Sequence, residues 1–455
     1  MSNDRKDNIV KRIYIHGSVK LVSPLIVGSG ENDNTDTDIL RDSKGEPYIP
    51  GTAIAGVFRN YSNKKSRFIK EDKEISLLFG NQMNQGDDNS NNLMSSIIFS
   101  DANINKAVID NRDGVRLEYK TSVNESKFDY EIVEAGANFP IKIEIVIREK
   151  HKNELNTINE YVYKILTGLI DEKISIGRKS NRGFGKVKLI KETLKILTLD
   201  FENKVDKEAI FESWLNFNWE NFKGNTDLLY FKPSNLNLFD NTISIDVSFD
   251  VKSSLIIRRY SKNIDDVDYE HIQSNNKSII PGTTWAGAIK NHIKNLIISD
   301  YEDNSKLINQ IEIAFGYISK DKKSYSSLVK IGESVINENK LLTQRRVKID
   351  RFTGGAVQSA LYNEKPSYFG KLDLKIEVVK NDEIDEDILI ALIIIAIKDI
   401  SNGILPIGGE TSIGRGILEI TKESDIKING EIMKENLESK YMKSLASFLM
   451  DGGSN

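Results

Sequence analysis

Two widely separated motifs of this 455-residue chain recur with one shared spacing. The motif pairs are YIPGTAIAGVFRNY at 48–61 with IIPGTTWAGAIKNH at 279–292, and IGRKSNRGFG at 176–185 with IGGETSIGRG at 407–416. In both pairs the second motif follows the first by 231 positions, as Gly51 and Gly282 illustrate (282 − 51). One offset shared by two distant motifs predicts a duplicated domain, and such duplication usually repeats one binding task along a repeating partner.

Each copy shows the same order of strand and helix patterns. An alternating apolar strand is followed by a helix at about 52–62 or 283–299, two further strands, a helix at about 157–170 or 384–400, and a closing strand. The order β-α-β-β-α-β is that of the split βαβ, ferredoxin-like arrangement. The sequence therefore predicts an α+β protein with two tandem ferredoxin-like domains.

The repeat also sets the expected domain boundaries. We predict a first domain at 1–198, a connecting segment at 199–240, a second domain at 241–425 and a C-terminal helical tail at 426–455. The connecting segment contains FESWLNFNWENF, which predicts a short helix packed on one domain. The tail is expected to cap a domain edge or to dock a partner.

The composition excludes several classes of protein. The chain has no cysteine, which rules out disulfides, thiol nucleophiles and cysteine-ligated zinc and fits a cytoplasmic protein. A net charge of −4 argues against a nonspecific polycation, although nucleic-acid binding depends on local basic patches. The N-terminus is polar and does not look like a signal peptide, and the longest apolar run, at 388–397, predicts a buried helix rather than a membrane span. No association with a membrane is expected.

The repeated glycine loops are candidates for phosphate binding. Glycine lets the backbone approach a ligand closely, and a turn of exposed N–H groups suits a phosphate. The candidate residues are Gly177, Gly183, Gly408 and Gly409, with the cations Arg178, Lys179 and Arg182 in the first copy. The alternative is a tight connection in which glycine serves packing alone.

Basic residues also follow the two IPG turns. They are Arg59, Lys64, Lys65 and Arg67 in the first copy and Lys290, His292 and Lys294 in the second. Spacings of about three to five place several of them on one helix face, which could track a row of phosphates. A solvated helix surface is the alternative. Thr52 and Thr283 stand just past the turns, where helix N-caps are expected.

An acidic stretch precedes each IPG turn. The carboxylates are Asp33, Asp36, Asp38 and Asp42 in the first copy and Asp265, Asp266, Asp268 and Glu270 in the second. A carboxylate in a loop can hold a hard divalent cation or act as a general base. The alternative is an exposed loop built from turn-favouring residues.

At these motifs the chain resembles the RAMP superfamily of CRISPR systems, and in particular the backbone subunits of type III effector complexes. The matching segments are VGSG…DTDILRD…EPYIPGTAIAGVFR, VRLEYKT…EIVEAG and GRKSNRGFG in the first copy, and SIIPGTTWAGAIK, RRVKIDRFTGGAVQSALYNEK and PIGGETSIGRG in the second. Two fused copies resemble the double backbone subunit of type III-D-like systems.

The resemblance implies an RRM-like core that holds guide crRNA beside other subunits of the complex and binds single-stranded target RNA. It also implies a β-hairpin thumb in each copy, at about 115–135 and 347–365, which splays one base. The resemblance implies RNA contacts from the glycine loops, from the helices after the IPG turns and from the second thumb. These residues are Gly177, Arg178, Lys179, Arg182, Gly183, Gly408 and Gly409 in the loops, Thr52, Arg59, Thr283 and Lys290 in the helices, and Arg351 in the thumb.

The resemblance further implies metal-dependent cleavage of target RNA. The responsible aspartate stands five residues before an Arg-Asp pair, a place held here by Asp36 before Arg41 and Asp42. Asp36 is therefore implied to be catalytic and to bind Mg²⁺ or Mn²⁺. In the second copy Asp268 holds this place, but Gln273-Ser274 replaces the pair, so cleavage there is in question and Asp266 is a second candidate.

Two other readings compete with this one. The chain could be the same scaffold without catalysis, or a RAMP endonuclease that processes precursor RNA and relies on a residue such as His16. The thumb-like segments favour a backbone subunit, with or without cleavage. No GGDD motif occurs, which argues against a polymerase-type large subunit.

Overall fold

The computed structural model describes residues 7–30, 36–63, 73–80, 94–118, 121–232, 242–261, 267–300, 305–319, 324–422 and 424–451. The chain divides into two compact units, Met1–Ser180 with Phe184–Phe239, and Asn181–Gly183 with Asp240–Asn455. Several residues named above lie outside the described ranges: Asp33, Lys64, Lys65, Arg67, Asp265 and Asp266.

The first unit contains the whole predicted order of elements. Its elements are β1 Ile9–Leu21, β2 Gly28–Gly30, β3 Asp38–Ile39, β4 Tyr48–Ile49, α1 Gly51–Ser62, α2 Lys73–Phe79, β5 Ile97–Phe99, β6 Ala102–Asn103, β7 Ile109–Glu118, β8 Thr121–Val133, β9 Asn138–Arg148, α3 Leu155–Ile170, β10 Val187–Leu189, β11 Lys195–Asp200 and α4 Lys207–Leu215. The main sheet is antiparallel in the order β10-β1-β9-β5, and β11 also pairs with β1.

The alternation of β1 explains how this sheet is covered. Ile13 and Ile15 are fully buried in the core formed with α1 and α3. Tyr14 points to the other face, where its ring stacks on Phe217 of the connecting segment with 3.8 Å between centroids. The predicted helix in that segment is α4, and the aromatic residues after it cover the sheet face that the other helices leave open.

The second unit repeats the order. Its elements are β12 Thr242–Val251, β13 Ser254–Leu255, β14 Arg258–Tyr260, β15 Tyr269–His271, β16 Gln273–Ser274, β17 Lys277–Ile280, α5 Gly282–Asp300, α6 Ser305–Phe315, β18 Tyr317–Ile318, β19 Ser324–Tyr325, β20 Val329–Ile331, β21 Ser334–Val335, β22 Lys340–Leu341, β23 Gln344–Ile349, β24 Ala356–Lys365, β25 Ser367–Tyr368, β26 Lys371–Val379, α7 Glu386–Ser401, β27 Leu418–Ile420, β28 Lys427–Ile428, β29 Glu431–Ile432 and α8 Glu435–Asp451.

The sheet of the second unit runs β20-β26-β12-β28-β29, with β27 also paired with β12. The predicted apolar run at 388–397 lies in α7, which Asp385 caps by accepting a hydrogen bond from the Ile388 amide at 3.2 Å. The tail helix α8 packs on α7 and contributes Tyr441 and Leu445 to the core of this unit. Mixed helix and sheet in both copies confirms the α+β class.

A long hairpin precedes the third strand of each sheet. Strands β7 and β8 form it in the first unit and β23 and β24 in the second. The hairpins begin at Ile109 and Gln344, a few residues before the predicted 115 and 347. Because each hairpin emerges beside the polar segment that precedes its IPG turn, hairpin and acidic segment meet in both units.

Candidate nucleic-acid interface

In the first unit the candidate catalytic aspartate contacts the return strand of the hairpin. The Asp36 carboxylate Oδ2 accepts a hydrogen bond from the main-chain N–H of Asp129 at 2.9 Å. In turn the Asp36 N–H donates to Oδ1 of Asp129 at 3.1 Å. The adjacent Thr37 carbonyl accepts from the Glu131 N–H at 3.0 Å. The acidic segment is therefore attached to β8 as if it were a further strand, with the Asp36 side chain at the edge of the hairpin.

The second unit holds its candidate in the same way. The Asp268 carboxylate Oδ2 accepts from the Asn363 N–H on β24 at 2.7 Å. The Asp268 N–H donates to the main-chain carbonyl of Asn363 at 3.0 Å. Asp36 and Asp268, which are far apart in sequence, thus occupy matching places against matching strands.

The Arg-Asp pair of the first copy has a structural role in this arrangement. Asp42 accepts hydrogen bonds from the amides of Lys44 at 2.8 Å and Glu46 at 3.0 Å, which closes the turn before the IPG motif. Arg41 forms an ion pair with Glu131 of β8 at 3.0 Å. The pair shapes the segment and fastens it to the hairpin beyond Asp36.

The second copy makes the corresponding turn with other residues. Gln273 and Ser274 form β16, which pairs antiparallel with β17. Asn275 and Asn276, which connect the two strands, adopt positive φ of 47° and 60°. Two consecutive left-handed residues form the tight hairpin turn that asparagine favours. This turn accounts for the shorter spacing, and the contact of Asp268 with β24 forms without the Arg-Asp pair.

The Asp36 carboxylate has one oxygen available to a hydrated divalent cation. Its Oδ2 accepts from the Asp129 N–H, and in the described part of the chain its Oδ1 has no hydrogen-bond partner. No group of three or more histidine, aspartate or glutamate side chains suited to a metal occurs among the described residues. Mg²⁺ commonly keeps several waters and binds through one or two carboxylates, so the Asp36 carboxylate is compatible with the expected ion.

The two glycine loops share one backbone conformation. Gly177 and Gly408 have φ of 86° and 90°, and the next turn is left-handed at Lys179 and Glu410, with φ of 57° and 56°. A Cβ on Gly177 would lie 2.3 Å from the Ile26 carbonyl oxygen. Glycine is required here by conformation and by close approach of the chain to itself.

The amides of these loops are largely engaged within the protein. The N–H of Arg178 donates to Ile26 O, and the N–H of Gly409 donates to Ile256 O, each at 2.8 Å. Gly183 also has a positive φ, of 84°. The packing role that the sequence left as the alternative is therefore present in both loops, and contact of Gly177, Gly183, Gly408 and Gly409 with RNA stays a prediction.

The cations of the first loop have three different surroundings. Arg178 is exposed, and its Nη1 donates to the Thr37 hydroxyl at 3.4 Å, next to Asp36. Lys179 lies over the ring of Tyr130 at 3.4 Å, and burial lowers its pKa to about 8. Arg182 groups with the second unit, donates to the carbonyls of Phe315 and Val329, and has a pKa lowered by burial. Of the three, the structure brings Arg178 to the candidate aspartate.

Two predicted RNA contacts on the helices are used as internal donors. Arg59 of α1 donates to the carbonyl of Gly80 at 3.0 Å, and Lys290 of α5 donates to the carbonyl of Gly316 at 3.1 Å. Both glycines follow the second helix of their unit and have positive φ. The two side chains thus satisfy carbonyls at a helix end, which is the same structural role in both units.

The prediction that Thr52 and Thr283 are helix N-caps is wrong. Helix α1 begins at Gly51 with Pro50 before it, and α5 begins at Gly282, so each threonine is the second helical residue. The Gly51 amide is capped instead by the side chain of Asp101, which accepts from it at 2.7 Å. Contact of the two threonines with RNA stays a prediction.

The tip of the second hairpin is a hydrogen-bonded turn, of which the sequence analysis singled out Arg351 but not Phe352. The Asp350 carboxylate accepts from the amides of Phe352 at 2.9 Å and Thr353 at 2.8 Å, and these bonds lower the pKa of that carboxyl. Arg351 is exposed and Phe352 beside it is 99% exposed, while contact of Arg351 with RNA stays a prediction. The sequence feature that could have identified Phe352 is its place as an aromatic residue among the turn-forming residues of IDRFTGG.

The histidines have structural surroundings. His16 on β1 lies edge-on to Phe222 of the connecting segment at 6.2 Å. Buried His271 accepts from the Ile257 amide at 3.2 Å, and its Nε2 lies 2.9 Å from the Ile279 carbonyl, with a pKa lowered by burial to about 4. His292 pairs with Asp399 at 2.7 Å. Within the described residues, no histidine forms a hydrogen bond or ion pair with Asp36 or Asp268.

A protein-family model matches the chain twice. The model of the RAMP superfamily covers residues 18–188 and 248–419, one match in each unit. The chain belongs to the RAMP superfamily. No curated protein matches it.

Membership assigns this RAMP protein a CRISPR-associated, RNA-binding function, in complexes with RNA and other subunits. The two matches agree with the repeat found in the sequence. No helix in the described part of this RAMP protein is long and apolar enough to cross a membrane.

Proposed function

We propose that this RAMP protein is a guide-RNA-binding backbone subunit of a type III CRISPR effector complex, in the double, fused form of type III-D-like systems, and that it cleaves target RNA. Its partners would be guide crRNA, single-stranded target RNA and the other subunits of a cytoplasmic complex. The observation that carries the proposal is the repeated contact between an acidic-segment aspartate and a hairpin return strand, Asp36 with Asp129 and Asp268 with Asn363.

The topology supports the proposed RRM-like, ferredoxin-like core. In both units the closing strand (β10 or β27) lies beside the first strand (β1 or β12). The first strand lies beside the third (β9 or β26), and the third lies beside the second (β5 or β20). This is the order expected of a split βαβ fold. The hairpin is inserted between the second and third strands, so a sheet that holds the guide would project it toward the paired target.

The chemistry requires little beyond alignment. A hairpin that splays one target base can align the 2′-OH of the preceding nucleotide with the adjacent phosphorus, and such positioning lowers a barrier by itself. Asp36, attached to the hairpin by its carboxylate, would accept or relay the proton of that hydroxyl as the 2′-oxygen bonds to phosphorus. The bond from phosphorus to the 5′-oxygen of the next nucleotide would break at the same time, and water would protonate that leaving oxygen. Arg178, beside Thr37, would offset charge on the phosphate. A bound Mg²⁺ or Mn²⁺ at Asp36 would supply further stabilisation of phosphate charge.

The test is cleavage of a complementary RNA by the purified complex with its guide. Asp36→Ala should remove one cut, with a loss of at least about 100-fold in its rate, because a proton-transfer group is lost. Asp268→Ala should affect a different cut. The cut sites are mapped on a sequencing gel with and without EDTA, and guide and target affinity are measured for each variant.

The two competing readings give different results in that experiment. A complex that binds target without any cut would be a structural backbone, and the cleavage part of the proposal would be wrong. One cut lost equally in both variants would indicate a single composite site in place of two modules. Cleavage of precursor crRNA by the isolated protein would favour the processing enzyme, although no observation on His16 supports that role.

A further inference from the structure

One side chain at the Asp36 contact has no counterpart in the second unit. Asp129 Oδ1 accepts the main-chain N–H of Asp36 at 3.1 Å, so the first contact depends on a side chain for one of its two hydrogen bonds. The other bond, from the Asp129 N–H to the Asp36 carboxylate, uses the main chain of β8.

In the second unit both hydrogen bonds use the main chain of the hairpin residue. The Asp268 N–H donates to the Asn363 carbonyl oxygen at 3.0 Å, and the Asn363 N–H donates to the Asp268 carboxylate at 2.7 Å. The Asn363 Oδ1 atom is buried and forms no hydrogen bond. The side chain at position 363 therefore does not hold Asp268.

We propose that Asp129 is a positioning residue for the first cleavage site, where its carboxylate oxygen holds the backbone of Asp36 so that the Asp36 carboxylate stays on the hairpin. The proposal rests on the proposed function of Asp36. It assigns Asp129 a role as hydrogen-bond acceptor and predicts that the second site has no equivalent requirement for its hairpin side chain.

The physical argument concerns how many bonds fix the aspartate. Asp36 is exposed, and its own described hydrogen bonds to β8 are the two to residue 129. The next attachments of this segment to β8 are the contacts of Thr37, Ile39 and Arg41 with Glu131. Loss of one acceptor leaves the carboxylate bonded while its backbone can move. A misplacement of about 1 Å at a reacting group is enough to slow a reaction strongly.

Three variants separate the possible roles of the side chain. Asp129→Asn keeps an acceptor oxygen and removes the charge, Asp129→Ala removes both, and Asn363→Ala makes the matched change in the second unit. Single-turnover cleavage at saturating target is measured at each cut in the assembled complex. We expect Asp129→Ala to slow the first cut by about tenfold, the rate equivalent of one hydrogen bond. Asp129→Asn should stay near the wild-type rate, and Asn363→Ala should leave the second cut unchanged.

A second measurement does not require cleavage. Amide hydrogen exchange at Asp36, followed in the full chain, should become faster in Asp129→Ala and keep its protection in Asp129→Asn. Exchange at Asp268 should not respond to Asn363→Ala. A wild-type complex that binds target but does not cut would refute the proposed cleavage, while this exchange pattern would still decide whether Asp129 holds Asp36.

Two outcomes would overturn the positioning role. If Asp129→Ala changes neither the rate of the first cut nor the amide exchange of Asp36, the Asp129 side chain does not position Asp36. If Asp129→Asn is as slow as Asp129→Ala while exchange at Asp36 stays protected, the negative charge matters and hydrogen-bond acceptance does not.

Discussion

The two units fasten the same glycine loop to the same hairpin with different chemistry. In the first unit the junction is aromatic: Lys179 of the loop lies 3.4 Å from the ring centroid of Tyr130 on β8, and Phe184 packs edge-on against that ring at 6.0 Å. Arg112 of β7 lies over the Phe184 ring at 5.4 Å. Cations on ring faces stabilise this junction, and Arg112 also forms an ion pair with Glu134 at 3.9 Å.

The second unit has an ionic junction at the matching positions. Glu410 and Arg415 stand in the loop where the first unit has lysine and phenylalanine, and Glu364 stands on β24 in place of the tyrosine. Arg415 and Arg346 both contact Glu364 Oε1 at 2.5 Å, and Arg415 contacts Glu410 Oε2 at 2.9 Å. Glu364 is fully buried and Arg415 is 3% exposed.

The comparison shows what the duplication conserved and what it did not. The backbone of the loop is the same in both units, including a left-handed residue of a type that rarely adopts that conformation. The side chains changed as a set, because a buried carboxylate is stable only beside its cations. The attachment of loop to hairpin is therefore the shared property, and we expect it to be needed for the position of the hairpin.

The largest expected effect comes from breaking the ionic junction. Glu364→Ala removes the buried carboxylate that Arg415 and Arg346 share and leaves them Glu410 alone, which should cost about 3 kcal/mol in the free energy of unfolding. Glu364→Gln is the matched control, since it keeps the volume and an acceptor oxygen and should cost less. Guanidinium denaturation of the full chain measures both variants. Costs below about 1 kcal/mol for each would show that the ionic junction contributes little.

The parts of this comparison differ in how far the sequence predicts them. The loops and hairpins were predictable because their motifs recur in both copies. The positive φ at Gly177 and Gly408 requires glycine at the same loop position, and the IPG turns recur at the same spacing. Asp129 and Glu364 were not predictable, since Asn363 and Tyr130 replace them in the other copy and no repeat remains to be seen.

A basic side chain has more than one use, and the sequence does not distinguish them. Arg59 and Lys290 were predicted to face RNA from their helix spacing. The structure shows them donating to the carbonyls of Gly80 and Gly316, which any long donor at that position could reach. Spacing predicts which face of a helix a residue occupies, and the tertiary partner decides what the side chain does there.

A change of pH is expected to have an intermediate effect on the free energy of unfolding, through Lys179 at the aromatic junction. Burial lowers the pKa of Lys179 from 10.5 to about 8, so between these values the unfolded chain binds a proton that the folded chain has released. The free energy of unfolding should therefore rise as pH increases through this range, by about 1–2 kcal/mol, because the contact with the Tyr130 ring favours the charged form and offsets part of the effect.

The matched variants test whether that rise belongs to this junction. Lys179→Met should remove the difference between pH 8 and 10.5, and Glu410→Gln at the same loop position of the second unit should leave it in place. An equal rise in wild type and Lys179→Met, measured by denaturation at each pH, would assign the effect to other lysines.

The smallest expected effect concerns an arginine at the rim of each junction. Arg258 is 43% exposed, forms an ion pair with Glu410 and lies over the Tyr269 ring at 5.0 Å. Arg258→Ala should cost less than about 1 kcal/mol, and the cost should fall further at high salt because the pair is partly solvated. Arg178→Ala is the control in the first unit.

Arg178 has a hydrogen bond to Thr37 and, within the described residues, no ion pair, so its removal should cost nothing measurable and should not depend on salt. Equal costs and equal salt dependence for the two arginines would contradict the contrast between the units. The expected difference would mean that the ion pair with Glu410 stabilises Arg258, whereas Arg178 beside Thr37 has no such pair among the described residues. On that basis the first unit is the one equipped to offset a phosphate, which is why its cut should be the faster of the two.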